Sequence, residues 1–111
     1  MDKFEYEVAT AIQELRISAH FKGYEFIKSA MCVLRDKPSA IHSIMGLYEI
    51  VAEHHGVTAK RVEGNIRNAL QNAKSDFTTQ KKVLGTNREL TNREFLATLN
   101  EVIKVKLAGA K

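Results

Sequence analysis

TAKRVEGNIRNALQNA, residues 58–73, sets two stripes of opposite character on one helical period. Val62, Ile66, Ala69, Leu70 and Ala73 recur at i, i+4, i+7, i+8 and i+11, the spacing that gathers side chains on the face of a helix packed against a core. The opposite face holds Lys60, Arg61, Glu63, Arg67, Asn68 and Gln71. Arginine, asparagine and glutamine can make paired hydrogen bonds to base edges, and lysine and arginine neutralise phosphates. The pattern fits a helix lying in a DNA groove. It equally fits a core helix whose polar face is merely solvated.

The residues before this helix favour the first reading. LYEIVAEHHGVTAKRVEGNI, residues 47–66, has the layout of a helix-turn-helix: Ala52 faces the core, Gly56 stands at the turn and Thr58 caps the second helix. Alanine lets two crossing helices approach, and glycine adopts the left-handed conformation that ends the first one. The next apolar position of such motifs is occupied by Asn65, with Ile66 one place late.

At 111 residues and 44% hydrophobic content the chain can bury one core, so residues 1–111 are expected to form a single domain. The sequence pI is near 9.3, but the distribution of charge is more telling than its total. Residues 1–57 carry a net −2 and residues 58–111 a net +6. The basic excess begins at the candidate recognition helix and continues through Lys74, Lys81, Lys82, Arg88 and Arg93, which are placed to flank a duplex. The opening MDKFEYEVAT is charged where a secretory signal is apolar, and no apolar run approaches the ~18 residues of a membrane span. A cytoplasmic protein without membrane contact is expected. The single cysteine, Cys32, lies in AMCVL and is expected as a buried, reduced thiol.

The remaining segments read as helices, which makes the expected fold an all-α compact bundle of about six. Asp2 to Arg16 has an acidic first turn and an apolar face of Phe4, Val8, Ala11, Ile12 and Leu15. Ser18 is the expected cap of a second helix running to about Leu34, with Phe21, Tyr24, Ile27, Ala30, Met31 and Leu34 inward. Pro38 and Ser39 precede a short helix expected around Ile41 to Met45, and Phe77 to Leu84 forms another, ended by Gly85. Thr91-x-x-Glu94 is a capping box that starts a last helix, with Phe95, Leu96, Leu99, Val102 and Ile103 inward.

Enzyme chemistry has little support. His54 and His55 are adjacent and project about 100° apart on a helix, unlike an i, i+4 metal pair. His20 and His42 are isolated, and Glu5 and Glu7 sit in an acidic helix start. No glycine-rich phosphate loop, nucleophile elbow or Cys-His cluster is present. No catalytic residue, cofactor or metal is expected.

Four segments carry a more specific signal: AHFKGYEFIKSAM at 19–31, LYEIVA at 47–52, TAKRVEGNIRNAL at 58–70 and LTNREFLA at 90–97. In order and interval they resemble the C-terminal DNA-binding effector domain of the stage-zero sporulation response regulator. The resemblance covers almost the whole chain. It implies about six helices, a helix-turn-helix whose second helix enters the major groove, and homodimers on tandem double-stranded DNA sites that recruit or block RNA polymerase. It also places His20 near phosphate.

Two departures qualify it. In the family a phosphorylated receiver precedes this domain, whereas this sequence begins at an initiator Met with the effector's own first helix. A stand-alone effector, of the kind mobile elements carry, is therefore expected, and an excised domain is the alternative. Within the recognition helix, Gly64 replaces an arginine that in the family reads guanine, and Lys60 replaces a small polar residue. A glycine there costs about 0.8–1.0 kcal/mol of helix stability.

The resulting expectation is a sequence-specific DNA-binding transcriptional regulator. Lys60, Glu63, Gly64, Asn65 and Asn68 are expected at or near base edges, and Arg61 and Arg67 on phosphate or base. Gln71 extends the same face, and Lys81, Lys82 and Arg93 are expected on the DNA backbone. The alternatives are an effector-domain mimic acting on RNA polymerase or a host regulator, and a mobile-element accessory protein binding origin repeats.

Overall fold

The computed structural model describes residues 1–109. They form six α-helices and one 3-10 turn: α1 Lys3–Glu14, α2 Lys22–Asp36, the turn Pro38–His42, α3 Ile44–His55, α4 Ala59–Gln71, α5 Phe77–Leu84 and α6 Asn92–Gly109. No strand occurs among the described residues, so the fold is the expected all-α bundle.

The helix starts are set by side chains that occupy otherwise unpaired N–H groups. Asp2 accepts from the Glu5 N–H at 2.8 Å, Thr58 from Arg61 at 3.1 Å and Asp76 from Thr79 at 2.8 Å. At α6 the expected capping box is complete. The Thr91 hydroxyl accepts from the Glu94 N–H at 3.2 Å, and the Glu94 carboxylate accepts from the Thr91 N–H at 3.0 Å. Arg88 also donates to that carboxylate at 2.9 Å. The Arg88 hydrogen bond, followed by the Thr91 N–H, pulls the Glu94 carboxyl down to about 2.

Two expected boundaries are corrected. Ser18 does not cap α2, because its hydroxyl turns back to accept from the His20 N–H at 3.1 Å and closes a local turn. The helix starts four residues later at Lys22, after Phe21, which makes no side-chain cap bond. The short helix expected around Ile41 to Met45 is divided. Pro38 starts a 3-10 turn that ends at His42, and Ser43 then caps α3 through the Gly46 N–H at 3.3 Å.

One continuous core runs through the bundle, with Ile12, Ile27, Met31, Leu34, Leu47, Val51, Val62, Ile66, Leu96, Leu99 and Ile103 among its most buried side chains. α2 is its central element. It packs on α1, α3, α4 and α6, which is why it buries Tyr24, Phe26, Ile27, Ala30, Met31 and Leu34 rather than a narrow stripe. The edge of the predicted core is softer than its spacing suggests. Leu70, Ala73 and Val102 are half-buried, and Cys32 is half-buried rather than buried.

α4 is seated by contacts from three sides. α3 ends at Gly56, whose φ of 65° and ψ of 35° are left-handed, and the Val57 N–H closes back on the Ala52 carbonyl at 3.0 Å. On a second side, α2 crosses α4 almost backbone to backbone at Gly23. A Cβ there would stand 2.2 Å from the Asn65 carbonyl oxygen and 2.7 Å from the Ala69 Cβ. On the third, Asn92 in the first turn of α6 donates from Nδ2 to the Glu63 carbonyl and to the Tyr48 hydroxyl, both at 3.1 Å.

Candidate nucleic-acid interface

With α2, α3 and α6 occupying its other sides, α4 leaves one ridge to solvent. A helix advances about 100° per residue, so relative to the buried Ile66, Gly64 lies about 160° around, opposite the core. Lys60, Gln71, Asn68, Arg67 and Arg61 fall on either side of Gly64, and all five are exposed. Of the polar face that the spacing predicts, these five side chains lie on the free side of α4 and Glu63 does not lie fully on it.

Glu63 and Asn65 lie at the margins of the strip. Both are half-buried: Asn65 on the flank crossed by α2, and Glu63 on the flank held by Asn92 of α6. The Asn65 amide donates to the Arg61 carbonyl at 2.7 Å, so it is folded along its own helix. Glu63 accepts from Arg67 Nε at 2.9 Å, and this i, i+4 pair orients the guanidinium along the strip. Solvent screens such an exposed pair, so it adds little to stability. Its consequence here is direction more than stability. Asn68 is similarly engaged, accepting from Asn72 at 3.1 Å.

The space at Gly64 is open. A Cβ would meet only the Arg67 Nη2 at 3.7 Å, an ordinary contact, so nothing inside the domain requires glycine. The Lys60 and Arg61 side chains form no ion pair among the described residues and leave the N-terminal end of the strip strongly basic.

The peripheral residues separate. Arg93 is exposed at the start of α6 and donates from Nε to the Ile41 carbonyl at 3.3 Å, on the rim of an open cleft of about 850 Å³. Glu63, Arg67 and Gln71 of α4 form one wall of that cleft and Phe77 and Gln80 of α5 another. Lys82 is not brought to it, lining instead a smaller groove with Glu7 and Glu14 of α1 and Lys106 of α6. Lys81 is exposed on α5.

Three residues that position the strip escaped the sequence reading. Gly23 was visible only as part of a motif, and its reason is the α4 backbone far along the chain. Asn92 is marked by the capping box beside it, but that pattern gives no sign of the bonds to Tyr48 and Glu63. Tyr48 is buried, and burial pushes its hydroxyl pKa up against the opposing pull of the Asn92 hydrogen bond. The histidines take no part in the strip: His20, His42, His54 and His55 are exposed, and His55 Nε2 is hydrogen-bonded to the Ser29 hydroxyl at 2.7 Å. Among the described residues no three His, Cys, Asp or Glu side chains converge as a metal site, and no helix is long and apolar enough to cross a membrane.

A short turn at Gly56 between α3 and α4, followed by a helix with one basic, hydrogen-bonding ridge left free, gives an all-α domain with the layout expected of a helix-turn-helix. The sequence agrees at the level of family. Residues 8–103 match the family described as Sporulation initiation factor Spo0A C terminal, and the chain belongs to that family. Its members are DNA-binding effector domains rather than enzymes.

Proposed function

We propose that the chain is a sequence-specific double-stranded-DNA-binding transcriptional regulator that lays α4 in the major groove. The observation that carries this reading is the exposed ridge from Lys60 to Gln71, on a helix fixed by α2, α3 and α6. Lys60, Gly64, Asn68 and Gln71 face the base edges. Arg61 and Arg67 contact phosphate or base, with Arg67 aimed by Glu63. Glu63 and Asn65 act from the margins, Asn65 reaching a base only after leaving the Arg61 carbonyl. Arg93 is a backbone contact at the cleft rim, Lys81 a more distant one, and Lys82 falls outside the surface.

One recognition helix reads few base pairs, and specific affinity usually comes from two half-sites. Two copies on adjacent sites are therefore part of the proposal. The solvent-facing end of α6, where Val105 is 63% exposed, supplies part of their contact, and RNA polymerase is the downstream partner. Selection of bound fragments from random duplex DNA tests the reading. A recurring motif is the expected result. Absence of duplex binding even at low salt would overturn it in favour of an effector-domain mimic that acts through protein contacts.

A further inference from the structure

The turn that ends α1 holds Arg16 at φ 58°, the one left-handed non-glycine residue among those described. L side chains are disfavoured there, because Cβ crowds the following carbonyl oxygen. At the ends of α3 and α5 the same conformation is taken by Gly56 and Gly85.

Closing the turn makes no use of the arginine side chain. The Arg16 N–H donates to the Gln13 carbonyl at 2.9 Å, the Ile17 N–H donates to the Ile12 carbonyl at 3.1 Å, and Leu15 and Ile17 are buried on either side. The guanidinium itself is exposed and makes no hydrogen bond or ion pair among the described residues. A glycine would serve the backbone better, so the side chain needs another explanation.

Its location supplies one. The Arg16 carbonyl accepts from the Lys74 N–H at 3.2 Å, which fixes this turn just beyond the end of α4. Leu15 and Ile17 line the same cleft as Gln71, the last residue of the exposed ridge. Lys74 is exposed and likewise forms no ion pair among the described residues, whereas Arg35, Arg67 and Arg88 each pair with a carboxylate within the domain. The ridge thus has an unpaired basic couple at each end: Lys60 with Arg61, and Arg16 with Lys74. From Lys60 to its last residue Gln71, α4 rises about 16 Å, and Arg16 and Lys74 stand beyond that end. A basic couple at each end of a helix of that length is within reach of the phosphates that border the ~12 Å major groove.

We propose that Arg16 and Lys74 form a phosphate contact that anchors the C-terminal end of α4 on duplex DNA, and that Arg16 keeps its disfavoured backbone for the sake of that charge. The proposal rests on α4 being the DNA-facing helix, and its test separates the two claims.

Fluorescence anisotropy on one duplex, titrated with salt, is measured for the unmodified protein, Arg16→Gly, Arg16→Lys, Lys74→Ala and Lys3→Ala. Losing one phosphate contact makes the slope of log affinity against log salt shallower by about 0.9, or about fivefold weaker binding at ~0.15 M salt. Arg16→Gly and Lys74→Ala should each show this loss. Arg16→Lys should keep the slope, and Lys3→Ala, at the far end of α1, should leave it unchanged. Arg16→Gly should also melt at a higher temperature, so that the more stable protein is the weaker binder, a pairing that a merely structural role does not give. Unchanged slopes in Arg16→Gly and Lys74→Ala, or an equal loss in Lys3→Ala, would overturn the contact while leaving DNA binding in place. A lower melting temperature for Arg16→Gly would overturn the role of the backbone. If the unmodified protein binds no duplex, the DNA reading fails together with the proposal.

Discussion

Replacing Gly23 by alanine adds one methyl where α2 meets α4, and the structure predicts a severe effect. The new carbon would stand 2.2 Å from the Asn65 carbonyl oxygen, whereas even a weak C–H to oxygen contact needs about 3.3 Å. α4 must therefore withdraw by roughly 1 Å along the flank that seats it. Overpacking by a methylene typically costs about 1–3 kcal/mol when side chains can give way. Here the obstacle is helical backbone, which points to about 3 kcal/mol or more, and alanine's better helix propensity offsets only about 0.8–1.0 kcal/mol. A net loss of about 2 kcal/mol corresponds to a melting temperature lower by roughly 10 °C in a domain of this size. The matched control is Gly64→Ala, where the nearest neighbour is the flexible Arg67 Nη2 at 3.7 Å. That substitution should stabilise the protein by about 0.8–1.0 kcal/mol. Thermal and urea denaturation of both variants give the answer. Equal stability of Gly23→Ala and the unmodified protein would refute the close approach of α2 to α4, and destabilisation by Gly64→Ala would refute the open setting of Gly64.

Three further outcomes follow from the site and its supports. Gly64→Arg should shift sequence preference toward a guanine at one position, with ~1–3 kcal/mol of discrimination, since the side chain enters open space at the centre of the ridge; duplex selections returning one motif for both proteins would contradict this. Val105→Glu should reduce cooperativity on a two-site duplex and leave single-site binding nearly unchanged, as read by gel-shift titration. Glu94, held at about 2 by Arg88 and the Thr91 N–H, contributes stability that is fully present above its ordinary value near 4.3 and is lost as pH falls toward 2. Thermal melts across that window should fall less steeply for Glu94→Gln than for the unmodified protein.

Much of this architecture is legible in the sequence where a single local rule acts alone. The Val62 and Ile66 stripe, the left-handed Gly56 and the Thr91–Glu94 box each follow from spacing or backbone conformation within a few residues, and each lies where that reasoning puts it. The placing of Ile66 rather than Asn65 in the core also resolves the apparent slip in the helix-turn-helix pattern. The failures arise where two local rules compete or a distant partner decides. Ser18 had a choice between capping α2 and closing its own turn, and took the nearer N–H. Pro38 favoured a tight turn over the start of an α-helix. Asn65 looked like a free base-reading amide, but α2 covers its flank and the Arg61 carbonyl holds it. Lys82 looked like part of a continuous basic surface, and α5 directs it to the groove beside α1. Periodicity along one helix cannot show which neighbour closes each flank.

The central claim is that the exposed ridge of α4 reads duplex DNA, and the direct measurement compares Arg67→Ala with Lys60→Ala in affinity, salt dependence and sequence preference. Loss of a phosphate contact at Arg67 should weaken all duplexes alike and lower the salt slope by about one unit. Lys60→Ala should instead change which sequence is preferred. Folded variants that bind the same sequences with the same affinity and slope as the unmodified protein would contradict the account.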